Sequence, residues 1–123
     1  MKLLNNLYEI KQQTIAESGF EYIISLDKEH SIYKAHFPNN PITPGVCIIQ
    51  ICKELMEAHT GESLFLSKLN NVKFLSIIDP RVADTVKFSF SKISFEDSIY
   101  KCAVLVHWET IQFSKLSMYL QRK

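Results

Sequence analysis

Glycine is scarce in this 123-residue chain, and its three copies stand far apart. No glycine-rich turn is therefore available to cradle a phosphate, and no glycine-flanked serine forms a nucleophile elbow. Cysteine is limited to Cys47, Cys52 and Cys102, an odd number set inside apolar runs. That excludes a disulfide framework and predicts reduced core thiols in a reducing cytosol. Neither sign of charge is in excess, with 14 Lys plus Arg against 13 Asp plus Glu. No nucleic-acid or membrane partner is expected from global electrostatics, so any charged partner must be met by a local patch. No stretch approaches the roughly 18 apolar residues of a membrane span. The opening Met1-Lys2-Leu3-Leu4-Asn5-Asn6 breaks its apolar run after two leucines, short of the about seven residues of a signal peptide. A cytoplasmic protein follows as the expectation. His30, His36, His59 and His107 stand far apart without ligand spacing, so neither metal nor cofactor is expected.

What is present fits one ordinary globular domain over residues 1–123, with no repeat and no Gly/Ser linker. A chain of this length buries roughly two-thirds of its unfolded surface, enough to dispense with disulfide or metal staples. Leu7 to Leu26, broken at Ser18-Gly19, reads as a hairpin, and Ser31 to Phe37 as a further short strand. Three prolines between His36 and Gly45 make that segment an ordered loop. The pattern is helical from Val46 to about His59, with a stop at Thr60-Gly61. Leu69 to Ile78, Asp84 to Phe95, Ser98 to Trp108 and Ile111 to Leu120 then read as four strands joined by tight turns. The plan is α+β, one long central helix on an antiparallel sheet. Such a sheet leaves an edge strand and part of a face uncovered, which predicts a dimer.

On a helical wheel Ile48, Cys52, Leu55 and His59 share the side that faces the sheet, and Gln50, Lys53, Glu54 and Glu57 form an ordinary solvated side. The first two turns, Val46 to Cys52, are apolar all round except for Gln50. Such a segment is buried on every side, so Gln50 is expected to point into a protein-lined space, either satisfying backbone groups or serving a binding site.

The loop reads His36-Phe37-Pro38-Asn39-Asn40-Pro41-Ile42-Thr43-Pro44-Gly45-Val46. Its prolines fix φ and lower its entropy, so an imidazole at its start can be held against a helix N-terminus. The Gly45 and Val46 N–H groups open that helix unpaired and present its positive dipole end, a place suited to a thioester carbonyl. In these letters and spacings the loop closely resembles that of the bacterial β-hydroxyacyl-acyl-carrier-protein dehydratases. Those enzymes have the hot-dog fold, a central helix wrapped by an antiparallel sheet. Val72-Lys73-Phe74 and Ile78-Asp79-Pro80 resemble the family's strand and turn more loosely.

The resemblance implies that the Gly45 N–H polarises a thioester carbonyl while His36 removes the proton from the adjacent carbon. It further implies that the Ile42 carbonyl holds the imidazole in the needed tautomer, and that Phe37 and Val46 contact substrate. Water then leaves carbon 3 to give a trans-2-enoyl thioester. In the family an acidic residue fourteen positions after the histidine, supplied by the other subunit, completes the site, and here that position is Gln50. An amide can orient a hydroxyl but cannot exchange a proton. Three readings stay open: His36 works alone with Gln50 positioning, Glu54 one turn along acts as the acid, or dehydration is lost and acyl binding kept. The rival functions are an acyl thioesterase of the same fold and a non-catalytic acyl-carrier binding subunit. The expected partners are acyl carrier protein or another acyl thioester, and a second hot-dog chain in a homodimer, higher even oligomer or heterodimer. Lys73 and Arg81 are the residues expected to meet the carrier.

Overall fold

The computed structural model describes residues 2–35 and 39–123. Its elements run β1 (Tyr8–Ala16), β2 (Gly19–Leu26), α1 (Ser31–Ala35), α2 (Gly45–Thr60), β3 (Leu64–Phe74), β4 (Thr85–Glu96), β5 (Ile99–Trp108) and β6 (Ile111–Arg122). The six strands form one antiparallel sheet in the order β1-β2-β4-β5-β6-β3, so β1 and β3 are its edges. The α+β plan read from the sequence is the plan observed.

Strand alternation explains how the sheet wraps the helix. Phe20, Tyr22 and Ile24 of β2, Val86, Phe88 and Phe90 of β4, and Cys102, Val104 and Val106 of β5 are all buried. Their neighbours in sequence point to the opposite face, as period-two geometry requires. Cys47, Ile48, Ile51, Cys52, Leu55 and Met56 of α2 are buried in the same core. Each large apolar side chain there contributes about 1.5–3 kcal/mol by leaving water. All three cysteines are free and buried. Burial pushes the Cys102 thiol up to about 12 and Cys52 well above its ordinary range. No helix among the described residues is long and apolar enough to cross a membrane.

Two expectations need correction. Ser31–Ala35 is a helical turn and not a strand. It starts where the Asp27 carboxylate accepts from the Glu29 N–H, the His30 Nδ1 accepts from the Ile32 N–H, and Tyr33 drops into the core. The strand read from Leu69 to Ile78 is displaced toward the N-terminus. Leu64 to Leu66 already pair with Leu120 to Arg122, whereas the Leu75 and Ser76 N–H groups both turn to the Phe113 carbonyl. His59, read on the sheet-facing side of α2, does meet the sheet: though exposed, it stacks flat on the Phe20 ring of β2 at 3.7 Å. The stop at Gly61 is as expected, with φ 72° and its N–H donating to the Glu57 carbonyl.

Candidate functional site

The start of α2 is built from the loop before it. Pro44 is the N-cap, with φ −62° and ψ 145°, and among the described residues no side chain caps the helix. Its carbonyl accepts from the Cys47 and Ile48 N–H groups, while Gly45 and Val46 stand too early in the helix to have an intrahelical acceptor. One residue earlier the loop is anchored. Thr43 is buried, donates its N–H to the Ile78 carbonyl at 2.9 Å, and pairs its hydroxyl with the Tyr33 hydroxyl at 3.0 Å. Burial pushes the Tyr33 phenol up to about 12, so it stays protonated and keeps this contact at any ordinary pH.

Beside this helix start lies a mainly apolar cleft of about 310 Å³, lined by Ile42, Gly45, Ile48, Phe74 and Ile77 among others. A Cβ placed on Gly45 would stand 2.7 Å from the Phe74 ring, so the ring comes this close only because residue 45 has no side chain. Val46, Phe74, Leu75 and Ile77 are all large apolar residues open to solvent, at 64%, 54%, 49% and 62% exposure. Val46 is therefore exposed within one chain, not buried on every side. His36 and Phe37 lie outside the described residues.

Gln50 and Glu54 are brought together, though in a different cleft. Glu54 is 5% exposed and accepts four hydrogen bonds. Its Oε2 takes the Leu3 N–H and the Gln50 Nε2, each at 2.8 Å. Its Oε1 takes the Leu4 N–H at 2.8 Å and the Tyr8 hydroxyl at 3.0 Å. Burial first, then the nearby Glu54 carboxylate, holds the Tyr8 phenol far above its usual range. The side of α2 read as solvated is thus covered at Glu54 by residues 3–8. Gln50 is half-buried and, with Glu54, Lys53 and Lys2, lines an open polar cleft of about 640 Å³. Among the described residues, Gly45 and Gln50 line two separate clefts.

Of the two cations expected to meet a carrier, Arg81 is held by Asp79 through two side-chain bonds, Nε to Oδ1 at 3.1 Å and Nη2 to Oδ2 at 2.9 Å. The guanidinium hydrogen bond keeps the Asp79 carboxyl below its ordinary value. Lys73 is exposed on the outer face of the sheet, directly opposite Lys115. With Lys92 they border a groove of about 300 Å³ whose lining includes Ala103 and Leu105 and no acidic residue. Sequence reading missed Lys92 and Lys115 because register and two β-bulges, in β3 and β4, bring them beside Lys73. It also missed Phe74 as a cleft residue; its only sequence signal was the likeness of Val72-Lys73-Phe74 to the dehydratases.

Comparison with known proteins agrees with this architecture. A family model described as ApeI-like, ApeI dehydratase, matches residues 11–108. The chain is 28% identical over 74 residues to the 3-hydroxyacyl-acyl-carrier-protein dehydratase FabZ of Enterococcus faecalis, covering 54% of this chain and 50% of that one. It thus spans about half the length of such relatives. Among solved structures, the dehydratase heterocomplex ApeI:P of Xenorhabdus doucetiae superposes with TM-score 0.65 at 17% identity, covering 92% of this chain and 96% of that one. A hypothetical thioesterase of Streptococcus pneumoniae, solved with coenzyme A, gives TM-score 0.63 at 10% identity over 94% and 85% of the two chains. At these identities the structural likeness speaks for a shared hot-dog fold.

Proposed function

The chain belongs to the ApeI-like dehydratase family, and on that footing we propose that it removes water from 3-hydroxyacyl thioesters carried on acyl carrier protein, giving trans-2-enoyl thioesters. The observation that carries this reading is the helix start. Gly45 opens α2 beside an apolar cleft large enough for an acyl chain, at the end of the proline loop that begins with His36. The Gly45 N–H donates to the thioester carbonyl and stabilises the enolate oxygen that develops there, a contribution of about 10²–10³ in rate for one such donor. His36 takes the proton from carbon 2 and returns it to the departing 3-hydroxyl as water leaves. Ile42, Phe37 and Val46 contact the acyl thioester.

Gln50 holds the 3-hydroxyl without exchanging a proton. Because Gly45 and Gln50 border separate clefts in one chain, the reading includes a second subunit whose Gln50 meets the His36 and Gly45 of the first. That subunit is another copy or a related hot-dog chain, and the exposed Val46, Phe74, Leu75 and Ile77 together with the open edge of β3 suit such contact. Lys73, with Lys92 and Lys115, replaces the Lys73 and Arg81 pair as the surface for an acidic carrier, since Arg81 is already neutralised by Asp79. The buried free thiols suit a reducing cytoplasm.

Turnover of a 3-hydroxyacyl thioester by the purified protein, alone and with partner hot-dog chains, tests the reading. His36→Ala is expected to lower it by about 10²–10⁴, and Gln50→Ala by about tenfold. Release of a free thiol with no enoyl product would assign a thioesterase instead. Tight carrier binding without turnover in any mixture would assign a non-catalytic binding subunit.

A further inference from the structure

Glu54 has four donors directed at it from two sources, three from residues 3–8 and one from Gln50. A carboxylate so placed can only accept, so Gln50 must turn its NH₂ toward Glu54 and its carbonyl oxygen away. Burial makes the arrangement hard to relax, because a group 5% exposed has little solvent to take over a lost contact. We propose that Glu54 is a positioning residue: its buried carboxylate, anchored by residues 3–8, sets the orientation of the Gln50 amide and keeps an ionised acid out of position 50. Glu54 is then no relocated acid, since all its observed contacts use it as an acceptor inside the protein. The inference rests on the dehydratase reading for its consequence in turnover, while its geometric core is testable without it.

The test is the pair Gln50→Glu and Gln50→Glu/Glu54→Gln. In the single variant two carboxylates face each other where Nε2 and Oε2 now stand 2.8 Å apart, and like charges at that distance share one proton. The shared proton binds with a raised pKa, so its contribution to stability is present at low pH and lost as pH rises through that value. Unfolding by urea followed from pH 5 to pH 9 should therefore show Gln50→Glu losing stability as pH rises, while the wild type and the double variant do not. Turnover should follow the same division, with Gln50→Glu at least about tenfold below the double variant at high pH and approaching it at low pH. A structural anchor with no hold on residue 50 would leave the single variant as good as the double one. A flat stability profile for Gln50→Glu overturns the proposal. Absence of turnover in the wild type, with the pH-dependent stability loss still seen in Gln50→Glu, overturns the dehydratase reading and leaves the positioning intact.

Discussion

In the first turn of α2, Val46 is 64% exposed and among the described residues no side chain caps the helix; two turns on, Glu54 is 5% exposed with four hydrogen bonds to its carboxylate. By residue type the opposite would be expected. The apolar turn stands open at a cleft, and the charged side chain is almost wholly buried. The difference lies in what is packed on each turn. The first follows directly on the Pro44 cap and leaves Val46 open, whereas the third receives residues 3–8, whose backbone donors need an acceptor. The open turn can take a ligand, and the sealed turn can only support one.

The contrast can be broken most severely at Glu54. Glu54→Ala strands the buried Leu3 N–H and Tyr8 hydroxyl, and should cost about 3 kcal/mol or more in urea unfolding. A loss under about 1 kcal/mol, the range of a surface glutamate, would show that the third turn is not sealed. A smaller effect on the fold, though not on function, is expected at Gly45. Its added Cβ would meet the far end of the half-exposed Phe74 ring, which can swing aside, so Gly45→Ala should stay within about 1 kcal/mol of wild type in thermal melts. Turnover should nevertheless fall about tenfold or more, because the ring and methyl group then intrude on the cleft. Equal losses of stability and turnover would mean that Gly45 serves packing alone.

The smallest effect is expected on the outer face of the sheet. There the His107 Nε2 lies 2.8 Å from the Ser89 hydroxyl, which donates to Glu21 at 2.8 Å. The imidazole N–H therefore donates to the serine, the reverse of a nucleophile and its base. Partial burial, then the neighbouring Lys87, lowers the His107 pKa from its ordinary 6.5, against a raising contribution from Glu21. A lowered histidine pKa means that the unfolded chain binds the proton first, so stability is lost as pH falls below 6.5. His107→Gln should flatten that decline by under about 1 kcal/mol, given solvent screening, in unfolding measured at pH 7 and pH 5.

The helix start and its stop were legible because their signals are local. Proline fixes φ wherever it occurs, so the loop before Gly45 and the first turn of α2 follow from neighbouring letters, as does the left-handed stop at Gly61. The central helix and the four strands after it were visible in their apolar periods. What failed locally did so where a distant group intervened. Ser31–Ala35 has strand-like letters, but the turn at Asp27 and the burial of Tyr33 wind it into a helix. The start of β3 depends on partners in β6 that no window of sequence contains.

By itself, then, the sequence determined the central helix, its stop at Gly61 and the strands that flank it, because backbone sterics and apolar periodicity act over a few residues. Tertiary structure alone decided that Glu54 is buried, that Gln50 turns its amide nitrogen toward it, that Lys73 stands with Lys92 and Lys115, and that Gly45 faces Phe74. Except for the Gln50–Glu54 pair, one turn apart on α2, each of these joins groups far apart in the chain. The energy that selects them comes from satisfying buried polar atoms and packing faces, which exist only once the strands have found their register.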